Sequence, residues 1–193
     1  MKTRRRTTAF GYPVLGALLL TASASSRVSA QGDDRRGSQE QGKKRVSALV
    51  EVVRKATARY RDVTVAEADG YALQFGCVTG GDVGAMGLHY VNGPLVMDGL
   101  LDATRPEIVI YEPTANGGRK LIGADYLVLA EAWDATHSSP PELMGQLLHL
   151  FEAPNRFGLP AFYTLHVWAW KDNPTGTFVN WHSNVSCDAF DGQ

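Results

Sequence analysis

Leu121-Ile122-Gly123-Ala124-Asp125-Tyr126-Leu127-Val128-Leu129-Ala130 decides the fold class. Apart from Gly123 and Asp125 every side chain in it is apolar, and branched or aromatic residues dominate. Such a run predicts a strand covered on both faces. Residues 86–91, 107–112, 161–170 and 177–181 share that character and are bounded by Gly, Pro or Asn, so they read as strands too. Residues 94–98 suggest a short edge strand. Asn116-Gly117-Gly118 and Asn173-Pro174-Thr175-Gly176 carry the chemistry of tight reversals.

Helical signals flank these strands. Val46, Leu49, Val50, Val53, Ala56 and Tyr60 recur at three- and four-residue spacing, which places them on one helix face. Thr64 and Glu67 fit a capping box with Gly70 as its stop, predicting a single further turn. Ser139 as N-cap with Pro140 at the first helical position predicts a helix to about Phe151, with Leu143, Leu147, Leu150 and Phe151 facing inward. Hairpin-length links between strands favour antiparallel pairing. The expected architecture is a single α+β domain, a mostly antiparallel sheet with an N-terminal helix and one further helix packed on it.

Composition bounds the function. The 193 residues are 44% hydrophobic and 20% charged, enough for one core. Lys2, Arg4, Arg5 and Arg6 precede an apolar stretch and Val28-Ser29-Ala30 resembles a signal-peptidase site, so residues 1–30 read as a secretory signal, with a hint of a twin-arginine type. Removing them takes five positive charges and no acidic ones, which moves the formal net charge from −1 to −6. An acidic exported protein excludes nucleic acid as a partner and gives no reason for stable membrane insertion after cleavage. Residues 31–45 hold no apolar side chain and are expected to form a flexible linker to the domain at 46–193. Cys77 and Cys187 are the only cysteines, and in a secreted or periplasmic setting a disulfide between them is the economical assignment.

Any chemistry lies in isolated polar residues. His89, Glu112, Asp125 and His166 are each the lone ionisable side chain of an apolar strand segment. Burying a carboxylate without a partner costs several kcal/mol, so each needs company. Two imidazoles and two carboxylates suit one another, and they also form a mixed N/O set that binds zinc, copper or iron. Tyr90, Tyr111 and Trp168 are the aromatic candidates for the wall of a ligand pocket. His137 and His182 read as solvent-exposed, and no Gly-x-Ser-x-Gly elbow, phosphate loop or His-Glu-x-x-His helix is present.

The strings Gly84-Ala-Met-Gly-Leu-His-Tyr-Val-Asn92, Tyr111-Glu-Pro113, Leu165-His-Val-Trp-Ala-Trp170 and Asn173-Pro-Thr-Gly-Thr-Phe178 resemble those of an uncharacterised family of exported bacterial proteins. That family carries Glu where this chain has Asp125. The resemblance implies export and a single domain, and brings no activity. Three classes of function follow from the residues: a binding protein for a metal ion or small ligand, an enzyme using a metal-activated water or a His–carboxylate base, and an interaction module whose polar residues are internal struts. Binding is preferred over catalysis because it demands less geometry.

Overall fold

The computed structural model describes residues 25–192, and the chain divides into two compact units, 1–39 and 40–193. Of the expected signal segment, residues 1–24 lie outside the described residues. The described part of the first unit is helical and belongs to α1 (Ser25–Thr57). Residues 31–45, expected as a flexible linker, therefore have helical backbone. No proline interrupts them, Gln, Glu, Lys and Arg favour helix, and Glu40 pairs with Lys44 at 3.6 Å one turn on. No helix among the described residues is long and apolar enough to cross a membrane.

The second unit is built on a curled, six-stranded antiparallel sheet. Its strands are β1 (Ala72–Thr79), β2 (Ala85–Val91), β3 (Ile108–Pro113), β4 (Arg119–Leu129), β7 (His149–Phe151) and β8 (Phe162–Val167). They lie in the order β1-β2-β3-β4-β8-β7. A separate two-stranded ribbon pairs β5 (Glu142–Leu143) with β6 (Gln146–Leu147). The α+β class expected from the hairpin-length links is the observed one.

One sheet face carries the helices. Leu49 and Val53 of α1, both fully buried, pack on Tyr126, Val128, Leu165 and Val167. The short α2 (Val63–Ala68) sets Ala66 on Tyr90, Val109 and Tyr111 of the same face. Its N-cap is Asp62, whose side chain accepts from the Thr64 backbone N–H, rather than Thr64 itself. Two buried tyrosine hydroxyls of this face end on backbone carbonyls: Tyr111 donates to Tyr60 at 2.7 Å and Tyr126 to Ala103 at 2.7 Å. The opposite face, formed by Ile108, Ile110, Ile122, Leu127 and Phe162, is covered by loop residues such as Phe157, Leu159 and Val185.

Several local expectations are corrected. Residues 94–98 belong to a helix, α3 (Gly93–Asp98), because Asn92 caps it, Pro94 pre-sets its first turn and Gly99 at φ 69° ends it. Residues 177–181 form no strand. The helix expected over 139–151 is replaced by β5, β6 and β7, since Met144 at φ 49° and Gly145 at φ 87° make a two-residue reversal. Leu147 and Leu150, expected to face inward, are exposed. A further helix does exist, the five-residue α4 (Ala130–Asp134), directly after β4. Strand β1 had no clear alternation because a bulge breaks it, with Phe75 at φ 65° and Gly76 at φ 63°.

Candidate metal centre

Asp125 and His166 are directly opposed residues of the β4–β8 ladder, so antiparallel register alone makes them neighbours. His89 lies on β2, two strands further along the sheet. Three interstrand spacings of ~4.8 Å would hold it roughly 14 Å from β8 in a flat sheet. The curl closes that gap on the concave face. Register shifts at Ile110/Tyr111 and at Val78/Thr79 add to the bend.

The three side chains form a compact group, with one ligand atom from each lying within 4.8 Å of the others. His89 Nε2 and His166 Nε2 are 3.4 Å apart. His89 Nδ1 is 3.2 Å from the Gly87 carbonyl oxygen. A carbonyl only accepts, so Nδ1 carries the proton of the neutral ring and Nε2 presents a lone pair toward His166. His166 Nδ1 has no hydrogen-bond partner and faces Asp125 Oδ1 at 3.6 Å. In the metal-free site His166 Nε2–H can donate to the His89 Nε2 lone pair. A cation would shift the His166 proton to Nδ1, toward the carboxylate, and leave two lone pairs converging on the ion. Two nitrogens on one tetrahedral zinc stand roughly 3.3 Å apart, from Zn–N bonds of about 2.0–2.1 Å.

Burial sets the charges. It pushes the His89 ring down to about 4, helped by the neighbouring His166 and opposed by Asp125 and the Gly87 carbonyl. It pushes His166 down to about 3, against the pull of the Asn180 amide. Asp125 is pushed up to about 6 by burial, with the Thr164 hydroxyl, at 2.5 Å, holding it back. At pH 7 the site therefore offers two neutral imidazoles and one carboxylate, the protonation state ligation requires.

A cavity of about 30 Å³ adjoins the three groups, room for about one water-sized body. Apart from Thr164 its other walls are apolar, with Met86, Phe75, Phe157 and Phe162 among them. Phe75 and Phe157 meet edge to face at 5.5 Å. A neighbouring apolar groove of about 240 Å³ shares Phe75, Ile108, Leu127 and Leu159 with it. A larger open depression beside the disulfide is lined by exposed Asp82 and Asp188 and holds no histidine.

The other expected site residues lie elsewhere. Glu112, at the far end of β3, accepts from Lys171 Nζ at 2.6 and 2.8 Å and is not part of the cluster. Tyr90 and Tyr111 point to the helix-covered face, where their rings meet at 5.0 Å. That removes both from any pocket at His89, whose side chain projects from the other face. Trp168 is on the correct face with its ring centre 5.7 Å from that of His166, but its Nε1 donates to Val179 and it packs edge-on against His182. The cysteines are joined, Cys77 to Cys187, with Cα atoms 5.7 Å apart.

Three residues carry more than their sequence context suggested. His182 is fully buried rather than exposed, because residue 182 forms a bridge to Ala85 and its Nδ1 accepts from Asn184. Met86 is buried and lines the cavity beside His89. Glu107 is 1% exposed, and its Oε2 accepts the Leu127 N–H at 3.1 Å. Burial pushes Glu107 up to about 8, opposed by backbone hydrogen bonds from itself and Leu127. A carboxyl whose folded-state value exceeds its unfolded one stabilises fully below the unfolded value, near 4.5, and loses that contribution as pH rises through 8. Glu107→Gln is therefore expected to be more stable than the parent at pH 8. The gap should shrink on acidification by up to about 1.4 kcal/mol per pH unit. Urea unfolding at pH 5.5 and 8 checks this, and a gap independent of pH would show that Glu107 is already solvated.

No family model matches the chain, and neither a curated protein nor a solved structure does.

Proposed function

We propose that the protein is an exported binding protein for one transition-metal ion, zinc, copper or iron, held by His89 and His166 with Asp125. The observation that carries this reading is the meeting of two imidazole Nε2 atoms at 3.4 Å in a buried site, with the other nitrogen of His89 on the Gly87 carbonyl and that of His166 facing the Asp125 carboxylate at 3.6 Å. Metal-binding histidines are oriented by a hydrogen bond from the second ring nitrogen, as the Gly87 carbonyl orients His89. Export is supported by the disulfide and by the basic and apolar character of residues 1–30.

A second reading, a metal-dependent enzyme, is favoured by the 240 Å³ apolar groove that shares Phe75, Ile108, Leu127 and Leu159 with the cavity of the cluster. A small apolar molecule seated there would press on the wall it shares with the metal cavity. Binding a probe of that kind should perturb the absorption of a Co(II)-loaded site.

The test of the main reading is titration of chelator-treated protein with Co(II) and Zn(II). One ion per chain is expected, with a ligand-field spectrum for cobalt. Glu112→Gln should leave the stoichiometry and spectrum unchanged, because Glu112 serves Lys171. Failure to take up either ion or copper at micromolar concentrations would reduce the cluster to an internal strut.

A further inference from the structure

Strict alternation along β2 puts Met86, Leu88 and Tyr90 on one face and Gly87 and His89 on the other. Leu88 and Tyr90 do face the helices. Met86 does not, because the ladder with β1 skips it: Val78 pairs with Gly87 and Thr79 with Ala85, leaving Met86 as the extra residue of a bulge. Gly87 makes the bulge feasible. It sits at φ +88°, and a Cβ there would lie 2.5 Å from the Tyr111 carbonyl oxygen. Bulges re-aim side chains, and this one turns Met86, 2% exposed, into the wall of the cavity that His89, Asp125 and His166 line.

Resting on the metal-binding reading, we propose that the resident ion is cuprous copper, with the Met86 thioether completing a sulfur and two-nitrogen set with His89 Nε2 and His166 Nε2. Thioether is a soft donor that selects Cu(I), and imidazole serves copper as well. Zinc sites draw on thiolate, imidazole and carboxylate instead. Charge points the same way. A monovalent ion beside one carboxylate and three neutral donors gives a neutral assembly, whereas a divalent ion leaves a net positive charge in a cavity walled by Phe75, Phe157 and Phe162.

The experiment compares the parent protein with Met86→Leu, a swap of similar volume. Cu(I) affinity is measured in ascorbate against bicinchoninate, which leaves the disulfide oxidised, and Zn(II) affinity against a chromophoric chelator. X-ray absorption fine structure at the copper edge of the parent is recorded independently of whether the variant folds. The expected result is a sulfur scatterer in the first copper shell and a loss of at least about tenfold in Cu(I) affinity for Met86→Leu, with zinc affinity little changed. A copper shell of nitrogen and oxygen alone, or equal Cu(I) affinities, overturns the assignment. Uptake of zinc without Cu(I) also overturns it but leaves the metal-binding reading standing, and uptake of neither removes both.

Discussion

His166→Ala, and separately His89→Ala, are expected to lower metal affinity by more than about 100-fold, since loss of a mere outer partner of a ligand already costs 10–100-fold. Each ring supplies one of the two nitrogens that meet at 3.4 Å, and no other imidazole belongs to the cluster. His149 is exposed and His182 is turned toward Asn184. Asp125→Asn should act more weakly, within the 10–100-fold range, if the carboxylate chiefly orients His166, and its amide could still accept from the Thr164 hydroxyl. The ordering of the three variants thus separates ligand from orienting group. Competition against a chelator of known affinity reads it. Circular dichroism and urea unfolding of the metal-free variants show whether folding is retained. Folded single-histidine variants that bind as tightly as the parent would remove the cluster from any role in binding.

How far this site was legible follows from which physical rule placed each member. Asp125 and His166 stood out as lone ionisable residues in apolar runs, and antiparallel register then made them neighbours. His89 stood out on the same ground, but its approach to His166 depends on curvature across two intervening strands, which no periodicity in the sequence encodes. Glu112 had the same signature and a different fate. Its partner Lys171 comes from a loop beyond β8, a contact that alternation does not describe. Met86 was hidden because a bulge reverses its face, and the visible clue was the adjacent Gly87.

The same competition between patterns explains the misread segment at 139–151. Leu143, Leu147, Leu150 and Phe151 fit a helical stripe, and Ser139-Pro140 fits a helix start. Gly145 in the middle of that stripe was the contrary signal. Its positive φ, with that of Met144, turns the chain back, so that Leu148 donates its N–H to the Pro141 carbonyl at 3.0 Å and is buried while Leu147 is not. β7 then adds to the sheet beside β8, where Phe151 stacks on Phe162 at 5.2 Å. That stack helps wall the cavity, so the misread segment belongs to the surroundings of the site.

Replacing both cysteines, Cys77→Ser with Cys187→Ser, is expected to cost about 2–5 kcal/mol of unfolding free energy. The bridge closes a loop with a sequence separation of 110, and constraint of the unfolded chain alone gives roughly 4.7 kcal/mol for a loop of about that length. Its position adds a local consequence. Cys187 follows the segment in which His182 exchanges backbone hydrogen bonds with Ala85, at 3.1 and 3.2 Å, and in which Val185 is buried against the site-bearing face. Ala85 directly precedes Met86. Freed from Cys77, that segment holds the start of β2 through these two hydrogen bonds, its close approach to Gly84 and the packing of Val185, so protection of the Ala85 amide against hydrogen exchange should fall in the variant more than that of Tyr126 in β4. Urea unfolding with matched exchange measurements reads both effects. A stability loss below about 1 kcal/mol would mean that the unfolded chain is already restrained without the bridge. Equal loss of protection at the two amides would mean that the bridge acts on the whole sheet rather than on the strand that carries His89.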